Sequence, residues 1–338
     1  AYTSRDQTVY HYTFPNDKLE IAVDLEADRM VNLVIDEGTF ETEKGAVLTE
    51  KNRGLDDPMR YLWEEVYRLA YTSHTYKYST IGEVDSIKSF SVGEAQAFYR
   101  NYYAPNNALI IVVGDVDPEA VVRTISLKYG PIAPQPVKAR PAVTDPPQRE
   151  SREAVLTHAK ATRRMLAVVH HIPNMSHPDY PALATLGKLL SAGKSAVLKE
   201  RLLHTSMVTS LFADAYVCKD LGTFEFFAQL ADGVRYEDVQ LVYRRALEEC
   251  AAGAISGDQL AVVKNEMERD LYQSATNPDA LGQKLGDAFI NTGDLAFQVK
   301  ALEAILRVDA GHIGEVVRRY LLESPSTTVR LDPAGARP

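Results

Sequence analysis

A proline-rich break near the middle of the sequence splits it into two folding problems. The chain runs Gly130-Pro131-Ile132-Ala133-Pro134-Gln135-Pro136, and then carries Pro141 and Pro146-Pro147. Proline fixes φ, removes a backbone donor and drives the residue before it out of the helical region. The stretch is therefore a stiff, extended connector rather than part of a helix or a central strand. At 338 residues the chain is also too long for one ordinary core. We divide it into an N-terminal domain over 1–132, a linker over 133–150, a C-terminal domain over 151–332 and a tail over 333–338.

Strands and helices alternate on both sides of the break. Residues 1–25 alternate like two strands, with β-branched and aromatic Thr8 to Phe14 turned by Pro15-Asn16-Asp17. Helices are predicted over Leu19 to Ile35, Glu41 to Arg53 and Arg60 to Tyr71, the last with Leu62, Val66 and Leu69 on one face. His74 reads as an ordinary surface histidine in a loop. Ser91-x-x-Glu94 is a capping box opening a helix to Tyr103. Ala108 to Val113 reads as a buried strand, and Pro118 to Tyr129 as a helix. In the second half, strands are predicted over 153–158, 164–172, 210–217, 222–229 and 327–331. Met165 to His170 is apolar on both faces, as a covered central strand should be. His170 and His171 point to opposite faces, one packed and one exposed. Helices fill 178–190, 195–203, 236–252, 256–274, 278–292, 294–306 and 309–321. The pattern is α+β, with the same sandwich plan used twice.

Charge and cysteine content narrow the function classes. The formal net charge is −9, with 45% hydrophobic and 25% charged residues. An acidic chain without clustered Lys and Arg is a poor match for nucleic acid as a main partner. No apolar run reaches the length of a membrane span. Cys218 and Cys250 are too few and too far apart for a disulfide framework or a metal site, and read as core thiols. The compartment stays open, with bacterial periplasm or cytoplasm ahead of a membrane location.

The chemistry-bearing stretch is the helix Glu41 to Arg53. Glu43 and Glu50 lie seven residues apart, roughly 700° around a helix, so both carboxylates share one face, two turns apart. Ala46 and Val47 lie between them on that face. Taken alone, such a pair is compatible with a solvated charged face.

Its surroundings resemble a known family. Ala1 to Tyr10, Leu25-Glu26-Ala27-Asp28-Arg29-Met30, Glu41 to Arg53, Tyr99-Arg100-Asn101-Tyr102-Tyr103-Ala104-Pro105-Asn106-Asn107 and Val113-Gly114-Asp115-Val116-Asp117 occur in the order and spacing of the M16 (pitrilysin/insulinase) zinc metallopeptidases. The type resembled is the two-domain M16B subunit related to the mitochondrial processing peptidase. The likeness is strong over roughly residues 1–130 and weaker over 150–332. It implies two homologous α+β sandwich domains, the first truncated at its N-terminus, and a peptidase in which a zinc-bound water attacks a peptide carbonyl. It makes Glu50 a ligand of one Zn²⁺ and Glu43 the second acid that tunes the site. It also makes Ala1, Tyr2, Thr3 and Ser4 a strand that pairs with substrate backbone.

Two parts of the family pattern are not found. The first is the helix carrying His-x-x-Glu-His, which supplies two imidazole ligands and the base. The nearest stretch, His312-Ile313-Gly314-Glu315-Val316, lacks the second histidine. Whether that helix is missing, cleaved off or outside this stretch is left open, and residues 1–338 alone are expected to hydrolyse no peptide. The second is an arginine followed seven residues later by a tyrosine, which binds substrate in the C-terminal domain. In Leu198 to Ser210, Leu202 and Thr209 fall where that pair belongs; shifting by one gives Arg201 and Val208. The resemblance thus implies a heterodimer whose second M16 subunit supplies the Arg/Tyr pair, while a homodimer or monomer using Arg201 or His204 stays open. The rival reading is a non-catalytic homologue that serves as scaffold or presents peptide to an active partner.

Overall fold

The structure, a computed structural model, describes residues 1–138, 143–193 and 196–335. In chain order the first half forms β1 (Tyr2–Thr3), β2 (Thr8–Val9), α1 (Leu19–Asn32), α2 (Glu37–Leu55), α3 (Pro58–Ala70), α4 (Val84–Ser89), α5 (Val92–Tyr102) and α6 (Pro118–Tyr129). The second half forms β3 (Arg152–His158), β4 (Met165–Ile172), α7 (Tyr180–Ser191), β5 (Val208–Val217), β6 (Gly222–Leu230) and α8 (Tyr236–Ala251). It continues through α9 (Gly257–Ala275), α10 (Pro278–Thr292), α11 (Phe297–Arg307), α12 (Ala310–Val317) and β7 (Ser326–Pro333). The fold is α+β. Contacts group the residues into two units that interleave along the chain. Unit 1 comprises Ala1–Asn52, Thr80–Ala142 and Gln273–Asp287; unit 2 comprises Arg53–Ser79, Val143–Tyr272 and Ala288–Pro338. Of the proline-rich connector, Pro141 lies outside the described residues, as do Ser195 and tail residues 336–338.

Unit 2 is built on a five-stranded sheet in the order β3-β7-β4-β6-β5. β3 and β7 are parallel and the other pairs antiparallel. β4 is buried on both faces, as its unbroken apolar run predicts. On one face, Leu183 and Leu186 of α7, Val239 and Leu247 of α8, and Ile313 and Val317 of α12 pack on Leu166, Phe224 and Phe226. On the other, Leu62 and Val66 of α3 cover Ala167, Val169, Phe227, Val329 and Leu331. Trp63 stacks on Phe212, with ring centroids 5.7 Å apart, and Phe212 stacks on Phe227 at 5.5 Å. Buried Glu225 on this face accepts hydrogen bonds from Tyr67 Oη at 2.5 Å and Thr223 Oγ1 at 2.7 Å.

The predicted apolar stripe of α3 is thus its packing face, but the sheet it covers comes from the second half of the sequence. Its N-terminal end is set locally and its C-terminal end from the second half of the sequence. Asp57 accepts from the N–H groups of Met59 and Arg60, and Pro58 takes the first helical position. Arg152 Nη1 donates to the C-terminal carbonyls of Leu69 and Ala70 at 2.7 and 2.9 Å.

Unit 1 departs furthest from expectation. The two long strands predicted over residues 1–25 reduce to a short β1–β2 ribbon. The predicted buried strand Ala108 to Val113 joins no sheet among the described residues, and Leu109 and Ile110 are exposed. Its inward residues meet a helix instead: a Cβ at Gly286 of α10 would lie 3.2 Å from Ile111 Cδ1, and one at Gly282 3.8 Å from Val113 Cγ2. Helix α2 starts at Glu37, four residues before the expected Glu41, because Asp36 accepts from Thr39 N–H and opens the first turn. Helix α1 stops at Asn32, not Ile35. The Ser91/Glu94 capping box forms as predicted.

Smaller differences occur in unit 2. Lys199–Leu203 and Arg318–Leu322 are π-helical turns where α-helix was expected. His74 is 1% exposed, not a surface residue. Its Nδ1 accepts from Tyr76 N–H, and its Nε2 lies 3.2 Å from Asp220 Oδ2, so both ring nitrogens are used inside the fold. His170 is buried and His171 half-buried, and both cysteines are buried and joined in no disulfide.

His170 supplies a test of the sheet. Among the described residues its Nδ1 has no hydrogen-bond partner, and burial, with a smaller effect of His171, lowers its pKa to about 4. The folded state therefore favours neutral imidazole. This contribution is complete above the unfolded value of ~6.5 and is lost as pH falls toward the folded value, a displacement corresponding to roughly 3 kcal/mol. Urea unfolding at pH 7 and pH 4.5 should show a larger acid loss for the native protein than for His170→Leu. Equal losses would contradict the assignment.

Candidate functional site

Helix α2 places both predicted acids on one exposed face. Within it, Thr42 and Thr49 donate to the carbonyls of Gly38 and Gly45, each at 2.9 Å, and Glu41 pairs with Lys44 at 3.0 Å. Glu43 and Glu50 are exposed and make no hydrogen bond or ion pair among the described residues. Ala46 between them is exposed and Val47 half-buried, whereas Lys51, next to Glu50, is buried. Glu50 therefore stands at the border between the free and the packed side of the helix.

That geometry limits what the pair can do. At ~1.5 Å rise per residue the two positions are about 10.5 Å apart along the axis, so the two carboxylates do not chelate one ion together. A catalytic zinc site takes about three protein donors. Among the described residues, no group of three or more His, Cys, Asp or Glu is placed to hold a metal ion. The residues described thus offer zinc single carboxylates rather than a ligand set.

The predicted substrate strand lies in the β1–β2 ribbon. Tyr2 pairs with Val9 and Thr3 with Thr8, and Ser4 N–H donates to Gln7 O at 2.8 Å. The sheet has two strands, so the other edge of β1 carries no partner strand among the described residues. Ala1, Tyr2 and Thr3 are exposed and Ser4 is half-buried.

Sequence reasoning missed what surrounds this ribbon. Gln7 Nε2 donates to Asp287, and His11 Nδ1 lies 3.5 Å from Asp279 Oδ1. Both acids belong to α10. Burial first, then the charges of Asp287 and Asp279, raise the pKa of the Tyr2 phenol. Some 280 residues separate Gln7 from Asp287, and no local pattern in the sequence announces such a contact.

In unit 2, the stretch Leu198 to Ser210 contains no free Arg/Tyr pair. Leu202 is fully buried in the core. Thr209 Oγ1 donates to Gln229 Oε1 at 2.9 Å. Arg201 is held by Glu249, Nη2 to Oε2 at 2.5 Å, a bond that raises its pKa. Ser206 carries φ +59°, a left-handed conformation that non-glycine residues rarely adopt.

Comparison with known proteins gives these features a context. The profile described as "Insulinase (Peptidase family M16)" matches residues 1–84, and "Peptidase M16 inactive domain" matches residues 89–267. The zinc protease PqqE of Helicobacter pylori is 26% identical over 337 residues, covering 98% of this chain and 76% of the relative. The mitochondrial-processing peptidase subunit beta of Lentinula edodes is 19% identical over 336 residues, covering 95% of this chain and 71% of the relative. The crystal structure of a protease from Helicobacter pylori superposes with a TM-score of 0.90 at 25% identity, covering 95% of this chain and 78% of that one. No helix among the described residues is long and apolar enough to cross a membrane. Matches that together span most of the chain place it in the M16 peptidase family.

Proposed function

We propose that this chain is a subunit of a zinc-dependent metalloendopeptidase acting on extended peptides. The observation that carries this reading is the exposed, unpaired state of Glu43 and Glu50 on one helix face, in a chain similar along its length to zinc proteases. Glu50 would be one carboxylate donor to Zn²⁺. Glu43, two turns away, would act as a positioning residue through other groups. The free edge of β1 at Ala1 to Ser4 would receive substrate backbone as an added strand, which gives affinity with little side-chain selection. Because the described residues do not make up a zinc ligand set, no reaction step is assigned to them.

The same reading includes a second subunit of the M16 type. With Leu202 buried, Thr209 bonded to Gln229 and Arg201 held by Glu249, the stretch matched to the substrate-binding segment offers no arginine–tyrosine pair. A relative named as the beta subunit of a processing peptidase supports division of the work between two chains.

Two predictions follow from these roles. In the protein as its source makes it, Glu50→Gln should lower zinc content, and Glu43→Gln should retain zinc. Both variants should keep stability within about 0.5 kcal/mol, since surface changes away from packed features have small effects. Unchanged zinc in Glu50→Gln would refute the ligand assignment. Separately, peptide cleavage by the protein as its source makes it should rise on mixing with a second M16 chain from the same source. Full activity alone, with no gain on mixing, would rule out divided labour. A zinc-free protein, inert alone and on mixing, would favour the scaffold reading instead.

A further inference from the structure

Five times the chain crosses between its two units, and two of those crossings bracket the segment Thr80–Ala142. The chain leaves unit 2 after Ser79 and re-enters it at Val143. The two roots of this excursion, residues 72–79 and 143–150, both belong to unit 2 and are tied there by one carboxylate.

The tie is unusually concentrated. Asp145 Oδ1 accepts from the backbone N–H groups of Thr72 at 2.9 Å, Ser73 at 2.6 Å and His74 at 2.9 Å, and from Thr72 Oγ1 at 3.2 Å. Successive N–H groups converging on one point make an anion-binding nest. In many proteins such a nest takes phosphate; here its occupant is a side chain more than seventy residues further along. Burial raises the pKa of the Asp145 carboxyl, but the bonds from His74, Ser73 and Thr72 outweigh it and hold the group below its ordinary range. The bonds are therefore charge-assisted, roughly twice as strong as neutral ones.

Both partners of the tie are anchored in their turn. On the nest side, Lys77 Nζ donates to Thr72 O at 3.1 Å. His74 meets Asp220, in the turn between β5 and β6, and Asp220 N–H donates to Tyr76 Oη at 3.3 Å. On the linker side, Gln148 Nε2 donates to Ser326 O at 3.0 Å, beside β7. Among the described residues Asp145 Oδ2 and His171 Nε2 are both buried without a hydrogen-bond partner, so the hydrogen bonds to this carboxylate come from residues 72–74.

We propose that Asp145 is a staple that clasps the two roots of the 80–142 segment on unit 2 and so sets how readily that joint opens. Losing it breaks the hydrogen bonds between the two roots while leaving the other anchors of each root and the two packed faces of the sheet in place, which makes it a local opening unit rather than a determinant of the whole fold. The inference is independent of the zinc reading and stands or fails separately from it.

The test is hydrogen exchange on the whole chain with Asp145→Ala and Asp145→Asn. In Asp145→Ala the amides of Thr72, Ser73 and His74 should exchange roughly ten- to a hundredfold faster, while those of β4 and β6 keep native rates. Asp145→Asn, which keeps one acceptor oxygen and the side-chain shape, should fall between, and carries the measurement if Asp145→Ala does not fold. Trypsin should cut faster after Arg149 in both variants. Sodium formate should slow the 72–74 exchange in Asp145→Ala, and sodium chloride at equal ionic strength should not. Native protection at 72–74 in the variants would overturn the proposal. So would equal acceleration throughout β4 and β6, which would make Asp145 a support of the entire unit.

Discussion

Burial of β4 on both faces is the constraint on which unit 2 depends. A strand with Leu166 and Val168 on one side and Ala167 and Val169 on the other exposes apolar surface twice unless two layers cover it. At ~1.5–3 kcal/mol per large apolar side chain, either face left open would cost a substantial part of a domain's net stability. Helices α7, α8 and α12 cover one face. The other is covered by α3, which precedes the sheet in sequence by about eighty residues or more and reaches it across the 80–142 excursion. Residues 53–79 are thus bound to the second half of the chain by packing, not by proximity in sequence. The polar contacts at their end follow from this: Arg152 caps α3, and Asp145 fills the nest that comes after it.

This arrangement explains which features could be read from the sequence. The stripe Leu62, Val66, Leu69, the double-faced strand 165–170 and the Ser91/Glu94 box are local patterns, and each appears in the structure as an element or a cap. What α3 packs against is not local information, and neither is the approach of Asp279 and Asp287 to the β1–β2 ribbon. His74 shows the same limit. Its sequence neighbourhood of Ser, Thr and Tyr suggests a surface loop, but Asp220 and Tyr76 enclose it. The stretch 108–113 has the composition of a strand, yet joining a sheet requires a partner, and its inward residues meet the glycine face of α10.

The candidate site divides along the same line. Spacing alone puts Glu43 and Glu50 on one helix face, and the structure finds both exposed there. Spacing within α2 does not assemble a ligand set, because two carboxylates about 10.5 Å apart along the axis do not share one ion and the further donors a zinc site needs lie outside this helix. The family match adds what kind of chemistry the relatives' names describe, and under the proposed function the described residues would contribute one carboxylate donor from α2 and the open edge of β1. The segment matched to the substrate-binding pair has been absorbed into packing, with Leu202 in the core and Arg201 in an ion pair.

The central claim concerns a single carboxylate, and diffraction at the zinc absorption edge tests it most directly. Crystals of the protein as its source makes it, grown with zinc, should give an anomalous peak about 2.0–2.2 Å from a carboxylate oxygen of Glu50 and none within bonding distance of Glu43. A zinc peak coordinated wholly by other residues, with Glu50 turned to solvent, would contradict it.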